Sequence, residues 1–356
     1  MNKNAKIYVA GHTGLVGSAI WKRLISKGYT QLIGKSIEEL DLRNAVQVKD
    51  YFDKECPEYV FLAAAKVGGI MANNTYRADF IYDNIQIQQN IIYESFRHNI
   101  KKLLFLGSTC IYPRDAQQPI AETELLTAPL EYTNEPYAIA KIAGLKMCES
   151  FNIQYGTNFI AVMPTNLYGY NDNFDLEKSH VLPAMMRKIY LGKCLLKNDW
   201  KNICKDLTMR PIENISGTHS QQKIIKILNK YGITDSAVTL WGTGTPMREF
   251  MWSEDMADAS IFIMENVNFS DTYQHSKEIR NCHINIGTGK EISIRDLAYL
   301  IAQTVDYKGV IYFDTTRPDG TKRKLTDVSK LHALGWQHKI DIQQGVKKLY
   351  QWYTKE

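Results

Sequence analysis

Lys6-Ile7-Tyr8-Val9-Ala10-Gly11-His12-Thr13-Gly14-Leu15-Val16-Gly17 is the stretch that decides the fold. Ile7, Tyr8 and Val9 predict a strand over 6–10. Glycines at 11, 14 and 17 follow, and an apolar, helix-forming pattern runs over 15–27. Three glycines in seven residues say little alone, because turn glycines are common. A strand before them and a helix after them is the context that gives the spacing chemical meaning. Glycine closes the turn tightly and lets backbone approach a pyrophosphate, while the helix N-terminus offers unpaired N–H groups. Gly11, His12, Thr13, Gly14, Leu15, Val16 and Gly17 therefore form a candidate dinucleotide-binding turn.

The same rhythm continues. A weak strand is expected over 31–33, an amphipathic helix over 45–54, a strand over 59–63 and a long helix over 78–98. A strand over 102–107, a helix over 137–155 and a strand over 158–163 complete the pattern. This βαβ alternation predicts an α/β fold with a Rossmann-like, doubly wound parallel sheet. After about residue 170 the rhythm becomes irregular, with isolated strands expected at 238–241, 283–286 and 310–313. Residues 1–170 read as a dinucleotide-binding domain, with segments near 238–290 returning to it. Residues 171–356 read mainly as a smaller α/β substrate domain. Within it, 195–237 lacks strand patterning, although 221–230 has helical periodicity. Long irregular stretches of this kind tend to be functional or mobile.

Composition narrows the class. A chain of 356 residues with 44% apolar and 23% charged residues can build a packed core. A net charge of +5 is too weak to argue for nucleic acid, yet it suits an anionic substrate. Cys56, Cys110, Cys148, Cys194, Cys204 and Cys282 form no CxxC pair and no zinc-ligand spacing, so reduced thiols and no metal are expected. The residues after Met1 lack the apolar stretch of a signal peptide, and the longest apolar run, 60–65, is too short to span a bilayer. A cytoplasmic location is expected.

Two further positions bear on the cofactor. NAD sites usually place a carboxylate at the end of the second strand for the ribose 2′-hydroxyl. Here that place holds Ile33-Gly34-Lys35-Ser36, and Lys35 favours a 2′-phosphate, hence NADPH; the alternative is a solvated surface lysine. Asp41 lies further on and could meet the adenine. On the chemical side, Ser108 follows the fourth strand, and Tyr137-Ala138-Ile139-Ala140-Lys141 starts a helix. Tyrosine and lysine four apart share a helix face. An ammonium beside a phenol should lower the tyrosine pKa from about 10. Tyr137 could then exchange a proton with a carbonyl oxygen as hydride arrives, with the Ser108 hydroxyl holding that oxygen. Without such a partner strand the pair would be a helix-start tyrosine and a solvated lysine.

These residues, with segments 62–70, 73–76, 107–113, 134–141, 163–169, 241–250 and 318–324, resemble the extended short-chain dehydrogenases, and within them the GDP-L-fucose synthases. The resemblance covers nearly the whole chain. It implies epimerisation at sugar carbons 3 and 5 followed by NADPH reduction at carbon 4. It implies that Ser108, Tyr137 and Lys141 are the reductase triad, and that Cys110 and His180 are the base and acid of epimerisation. It extends the cofactor site to Ala63, Ala64, Leu106, Gly107, Lys141, His180 and Pro164-Thr165-Asn166-Leu167. Asn166, Lys188, Trp241, Arg248 and Asp319 would hold the GDP-sugar. It also implies a homodimer through the helices over 78–98 and 137–155.

The match departs from the family in two places. Thr13 stands where some members carry an arginine, which leaves Lys35 to do more for the 2′-phosphate. The stretch 195–237 replaces a shorter connection and lies between Lys188 and Trp241, where it could reshape the sugar pocket. In carrying it, the chain resembles reductases that make GDP-heptoses for bacterial surface polysaccharides, so a 4-keto heptose competes with a 6-deoxyhexose. A nucleotide-sugar 4-epimerase that retains NAD, and a non-catalytic dinucleotide-binding protein of the same fold, are the alternatives.

Overall fold

The computed structural model describes residues 1–273, 278–317 and 319–355. Pro318, at the head of the 318–324 segment, lies outside them. Two compact units are present: Met1–Asn171 with Glu249–Lys290 and Leu325–Asp341, and Asp172–Arg248 with Glu291–Lys324 and Ile342–Glu356.

In the first unit β1 (Lys6–Ala10), β2 (Gln31–Ile33), β3 (Tyr59–Leu62), β4 (Lys102–Leu106), β5 (Phe159–Pro164) and β9 (Ile284–Ile286) form one parallel sheet. Its order is β2-β1-β3-β4-β5-β9. Strand periodicity sends alternate side chains to opposite faces. Tyr8, Val60, Leu62, Leu103 and Phe105 therefore pack with Val48 and Phe52 of α2 (Ala45–Glu55), Ile91 of α4 (Arg77–Arg97) and Leu145 of α5 (Glu135–Tyr155). Ile7, Val9, Phe61, Leu104 and Val162 pack on the other face with Ile20 and Leu24 of α1 (Leu15–Ser26) and Ile261 of α9 (Ser253–Asn266). β2 and β3 lie on opposite sides of β1, so the order reverses there. Such a switch point leaves a crevice outside the strands' carboxyl ends. A short α3 (Ile70–Thr75) precedes α4, and β6 (Asn166–Tyr168) pairs with Phe250, Met251 and Trp252 of β8 (Met247–Trp252).

The returning segments differ from the sequence expectation. β7 (Ala237–Trp241) does not join the large sheet; it pairs in parallel with β11 (Val310–Asp314) inside the second unit. The first unit instead recovers Glu249–Lys290 and a later segment, Leu325–Asp341, which carries α11 (Ser329–Ala333).

The second unit holds α6 (Val181–Leu196), α7 (Trp200–Met209), α8 (Gln221–Lys230), β10 (Glu291–Ser293), α10 (Ile294–Val305) and α12 (Ile342–Lys355). The stretch 195–237, expected to be largely irregular, is mostly helical. Asp199 caps α7 by accepting from the Asn202 N–H at 3.2 Å, and Ile203 and Leu207, one turn apart, bury its inner face. Gly217 packs so tightly on this helix that a Cβ would stand 1.9 Å from the Cys204 carbonyl oxygen. Ile224, Ile227 and Leu228 bury the matching face of α8.

Candidate active site

The glycine turn lies at the carboxyl end of β1. Gly11 has φ +83°, and a Cβ there would meet Ala64 backbone at 2.8 Å, so only glycine fits the turn against β3. A Cβ on Gly17 would stand 2.0 Å from the Gly11 carbonyl oxygen, which lets α1 start against the turn. Gly14 caps α1 without a side-chain hydrogen bond, and the first turn has no acidic residue. The helix thus presents free N–H groups and a positive dipole end, a fitting cradle for a pyrophosphate. Thr13 is exposed beside it, and Leu15 and Val16 begin the helix half-buried. The His12 ring packs on Trp21, with centroids 5.2 Å apart, and on Gly34, where a Cβ would come within 2.7 Å of it.

Beyond β2 the crevice is charged. Lys35 is exposed, and its ammonium donates to Glu39 at 2.8 Å, which raises the lysine pKa. Asp41 is held by the Arg43 guanidinium, 2.9 Å through Nε and 2.8 Å through Nη2, and its pKa is lowered by that contact. Arg43 is a second cation at this end that the sequence reading did not single out. Its signal was only its place two residues after Asp41.

The strand ends close the crevice. Ala63 donates backbone N–H to Ala10 at 3.0 Å, and Gly107 donates to Val162 at 2.8 Å. Leu106 and Pro164 are buried. A Cβ on Gly107 would strike Met163 at 2.4 Å. Thr165 donates its N–H to Ile286 at 2.9 Å, Asn166 donates its amide to the Glu249 carbonyl at 2.9 Å, and Leu167 pairs with Met251. Glu249 was also missed. Its fully buried carboxylate accepts from the N–H groups of Thr288, Gly289 and Thr326 at 2.5, 2.7 and 3.0 Å. The hint lay in Arg248-Glu249 standing inside an otherwise apolar strand.

Ser108 and Cys110 sit where β4 runs into a one-turn 3₁₀ segment, Thr109–Ile111, with the Cys110 N–H donating to Ser108 Oγ at 3.3 Å. Cys110 is buried. Tyr137 lies in the first turn of α5, with Lys141 one turn on. The Lys141 ammonium donates to the Leu106 carbonyl at 2.9 Å, 5.7 Å from the Tyr137 ring centroid. Burial lowers the Lys141 pKa to about 8, with Cys110 opposing. The expected lowering of the tyrosine pKa is not found. Burial first, and the charge of Cys110 second, hold Tyr137 above its ordinary value. Desolvation outweighs an ammonium that is bonded elsewhere, so the phenol stays protonated. That is the state required to give a proton to a developing alkoxide.

The remaining predicted residues belong to the second unit. His180 caps α6 through backbone only; its ring reaches solvent, yet the protein around it displaces enough water to lower its pKa. Lys188, one face of α6 on, donates to the Thr239 carbonyl at 3.1 Å, and burial lowers its pKa to about 8. Trp241 ends β7, 54% exposed, with the Arg317 guanidinium 5.2 Å from its ring centroid. Arg248 is half-buried, and that burial lowers its pKa against the pull of Asp319. Asp319 accepts from Thr243 N–H at 2.9 Å and its hydroxyl at 2.8 Å, and so fixes the turn after Trp241. Cys110 and His180 thus come from different units.

The NAD dependent epimerase/dehydratase family matches residues 7–210 and 204–287, two segments that overlap inside 195–237. GDP-L-fucose synthase 1 of Arabidopsis thaliana is 47% identical over 354 residues, covering 99% of this chain and 94% of that protein. A GDP-6-OMe-4-keto-L-xylo-heptose reductase from C. jejuni superposes with a TM-score of 0.94 at 44% identity, covering 100% of this chain and 99% of its own. MlghC, a GDP-mannoheptose C4 reductase from Campylobacter jejuni with NADP bound, gives a TM-score of 0.87 at 43% identity, with 99% of each chain covered.

Proposed function

Because this chain belongs to the GDP-L-fucose synthase family of NAD-dependent epimerases and dehydratases, we propose that it is an NADPH-dependent reductase of the 4-keto group of a GDP-linked sugar. The observation that carries the proposal is the placement of Tyr137, half-buried in the first turn of α5, one helical turn before Lys141, with Ser108 just past the end of β4. The reduced nicotinamide supplies the hydride. Ser108 and Tyr137 bind the keto oxygen, Tyr137 gives it a proton, and the Lys141 ammonium stabilises the charge left behind. Gly11 to Gly17 hold the pyrophosphate, Lys35 reads the 2′-phosphate, Asp41 lies toward the adenine, and Pro164 to Leu167 line the nicotinamide. Lys188 and Arg248 meet the GDP diphosphate, with Trp241 and Asp319 shaping that end.

A 4-keto heptose is the favoured sugar over a 6-deoxyhexose. This preference rests on the two Campylobacter heptose reductases, 44% and 43% identical, which superpose on the chain with TM-scores of 0.94 and 0.87. The product then enters bacterial surface-polysaccharide synthesis. We read the protein as a cytoplasmic homodimer through α4 and α5, which expose Tyr82, Tyr93, Ile139 and Ile153. Among the described residues no helix is long and apolar enough to cross a membrane.

The test is incubation with NADPH and a GDP-4-keto heptose or hexose in deuterated water, with products read by NMR. Released NADP matching reduced sugar, with no deuterium at carbons 3 and 5, is expected. An NAD-retaining 4-epimerase would release no oxidised cofactor, and a non-catalytic protein would consume none. Deuterium at both carbons would make Cys110 and His180 epimerisation residues, and Cys110→Ser would then abolish the exchange while a pre-epimerised ketone is still reduced.

A further inference from the structure

The stretch 195–237 contributes one carboxylate to the interior of the second unit. Asp206 on α7 is buried, and it faces Arg187 on α6, which is 1% exposed. Arg187 Nε and Nη2 both lie 2.9 Å from the Asp206 carboxylate, which also accepts from the Tyr353 hydroxyl on α12. The other arginine donors go to main chain: Nη1 reaches the Phe174 carbonyl at 3.2 Å, and Nη2 reaches the Arg210 carbonyl just past α7. A fork of fixed donors ties four separate segments together.

Two of those segments carry residues assigned to the sugar. Arg187 immediately precedes Lys188, so fixing its side chain sets the rotation of α6 and the direction in which Lys188 leaves the helix. Phe174 opens the loop that runs to His180. Its ring lies 4.7 Å from Tyr353 and 6.1 Å from Trp352, with the Arg210 guanidinium 5.4 Å away. Next in the chain, the Asp175 carboxylate accepts from the Glu177 and Lys178 N–H groups, both at 2.8 Å, and its carbonyl accepts from Ser179 at 3.1 Å. The turn therefore has a fixed shape from Phe174 to the residue before His180.

We infer that 195–237 acts on the sugar end through Asp206, a positioning residue that holds Arg187 and thereby the 172–188 segment with His180 and Lys188. A buried guanidinium is tolerated only with its charge and donors matched, so loss of Asp206 leaves an uncompensated cation that must draw in water or move. Either response frees the Phe174 carbonyl and the register of α6. The glycine turn and Lys35 make none of these contacts, so dinucleotide binding keeps its main anchors even where His180 moves. The inference rests on the reading of His180 and Lys188 as sugar-side residues.

Asp206→Asn in the full-length protein, with Tyr353→Phe as a milder variant that removes one bond to the same carboxylate, tests it. Hydrogen exchange over 172–188 should quicken by about tenfold in Asp206→Asn, with peptides of 1–170 unchanged. KM for the GDP-4-keto sugar should rise about fivefold or more while NADPH affinity holds. Tyr353→Phe should move both readouts the same way by less. Unchanged exchange over 172–188 in both variants overturns the inference, as does exchange that rises equally in both units with NADPH affinity lost, the mark of a purely structural pair. If Asp206→Asn does not fold, Tyr353→Phe decides by the same readouts. If the wild type reduces no GDP-4-keto sugar, the functional reading fails and the exchange comparison still decides this one.

Discussion

The crevice of the first unit uses lysine in opposite ways at its two ends. Lys35, past β2, is exposed, and its pKa is raised by a carboxylate 2.8 Å away. Lys141, on α5, is 3% exposed, bonds a carbonyl, and has its pKa lowered to about 8 by burial. Water and salt screen the first contact, so it contributes little energy and can be exchanged without disturbing the fold. The second works where charge is poorly screened, so its protonation state and its neighbours are set by the fold itself. On the proposed assignment, cofactor preference is thus placed where it can be retuned, and proton transfer where it cannot.

Substitution at the buried end should have the largest effect. Tyr137→Phe is expected to lower kcat by about 10²–10⁴, the usual cost of a lost general acid, with NADPH binding retained. Near-normal turnover would remove Tyr137 from the mechanism and erase the contrast.

The pH profile gives the next effect in size. Lys141 is cationic below a pKa of about 8 and neutral above it, while Tyr137 stays protonated across that window. kcat should therefore fall as pH rises through about 8, and Lys141→Met should be slow and lack that limb. Lys188 titrates in the same range, but its loss belongs in KM for the sugar. A kcat that is flat through the window would mean that the ammonium is not used.

The smallest effects belong to the exposed end. Lys35→Ala should raise KM for NADPH, leave that for NADH alone, and shrink the preference by about tenfold or less. Glu39→Gln frees Lys35 from its carboxylate and should act oppositely, by about twofold, with added salt weakening both differences. If neither substitution alters discrimination, another cation reads the 2′-phosphate, and Arg43 is the next to remove.

Much of the first unit was legible because its signals are local. The expected strand over 6–10 coincides with β1, and the expected 45–54 and 78–98 helices differ from α2 by a residue at one end and from α4 by a residue at each end; in the second unit the helix over 221–230 coincides with α8. What escaped was tertiary. The apolar pattern of β7 marks a strand but cannot say that its partner is β11 rather than the large sheet. In α7 the inward face is made by Ile203, Leu207 and Asp206, and a buried aspartate reads as surface until its arginine is seen. The Tyr137 pKa was misjudged for the same reason: spacing shows that Lys141 is near, while only packing shows that its ammonium is engaged with Leu106 and that the phenol has lost its water.

The five breaks in the two units, after Asn171, Arg248, Lys290, Lys324 and Asp341, bear on how the protein is made. As the chain leaves the ribosome, β1 to β5 emerge together, yet β9, which completes the sheet beside β5, comes more than a hundred residues later. Until then β5 is an unpaired edge, and the face that α9 will cover shows Leu104, Ile160 and Val162 to solvent. An open edge beside an apolar face invites pairing with other nascent chains, and closure over so long a loop is slow. Residues 1–171 therefore form a unit that cannot be finished on its own. Glu249, which joins β8 to Thr288, Gly289 and Thr326, can make its contacts only once nearly the whole chain has been synthesised.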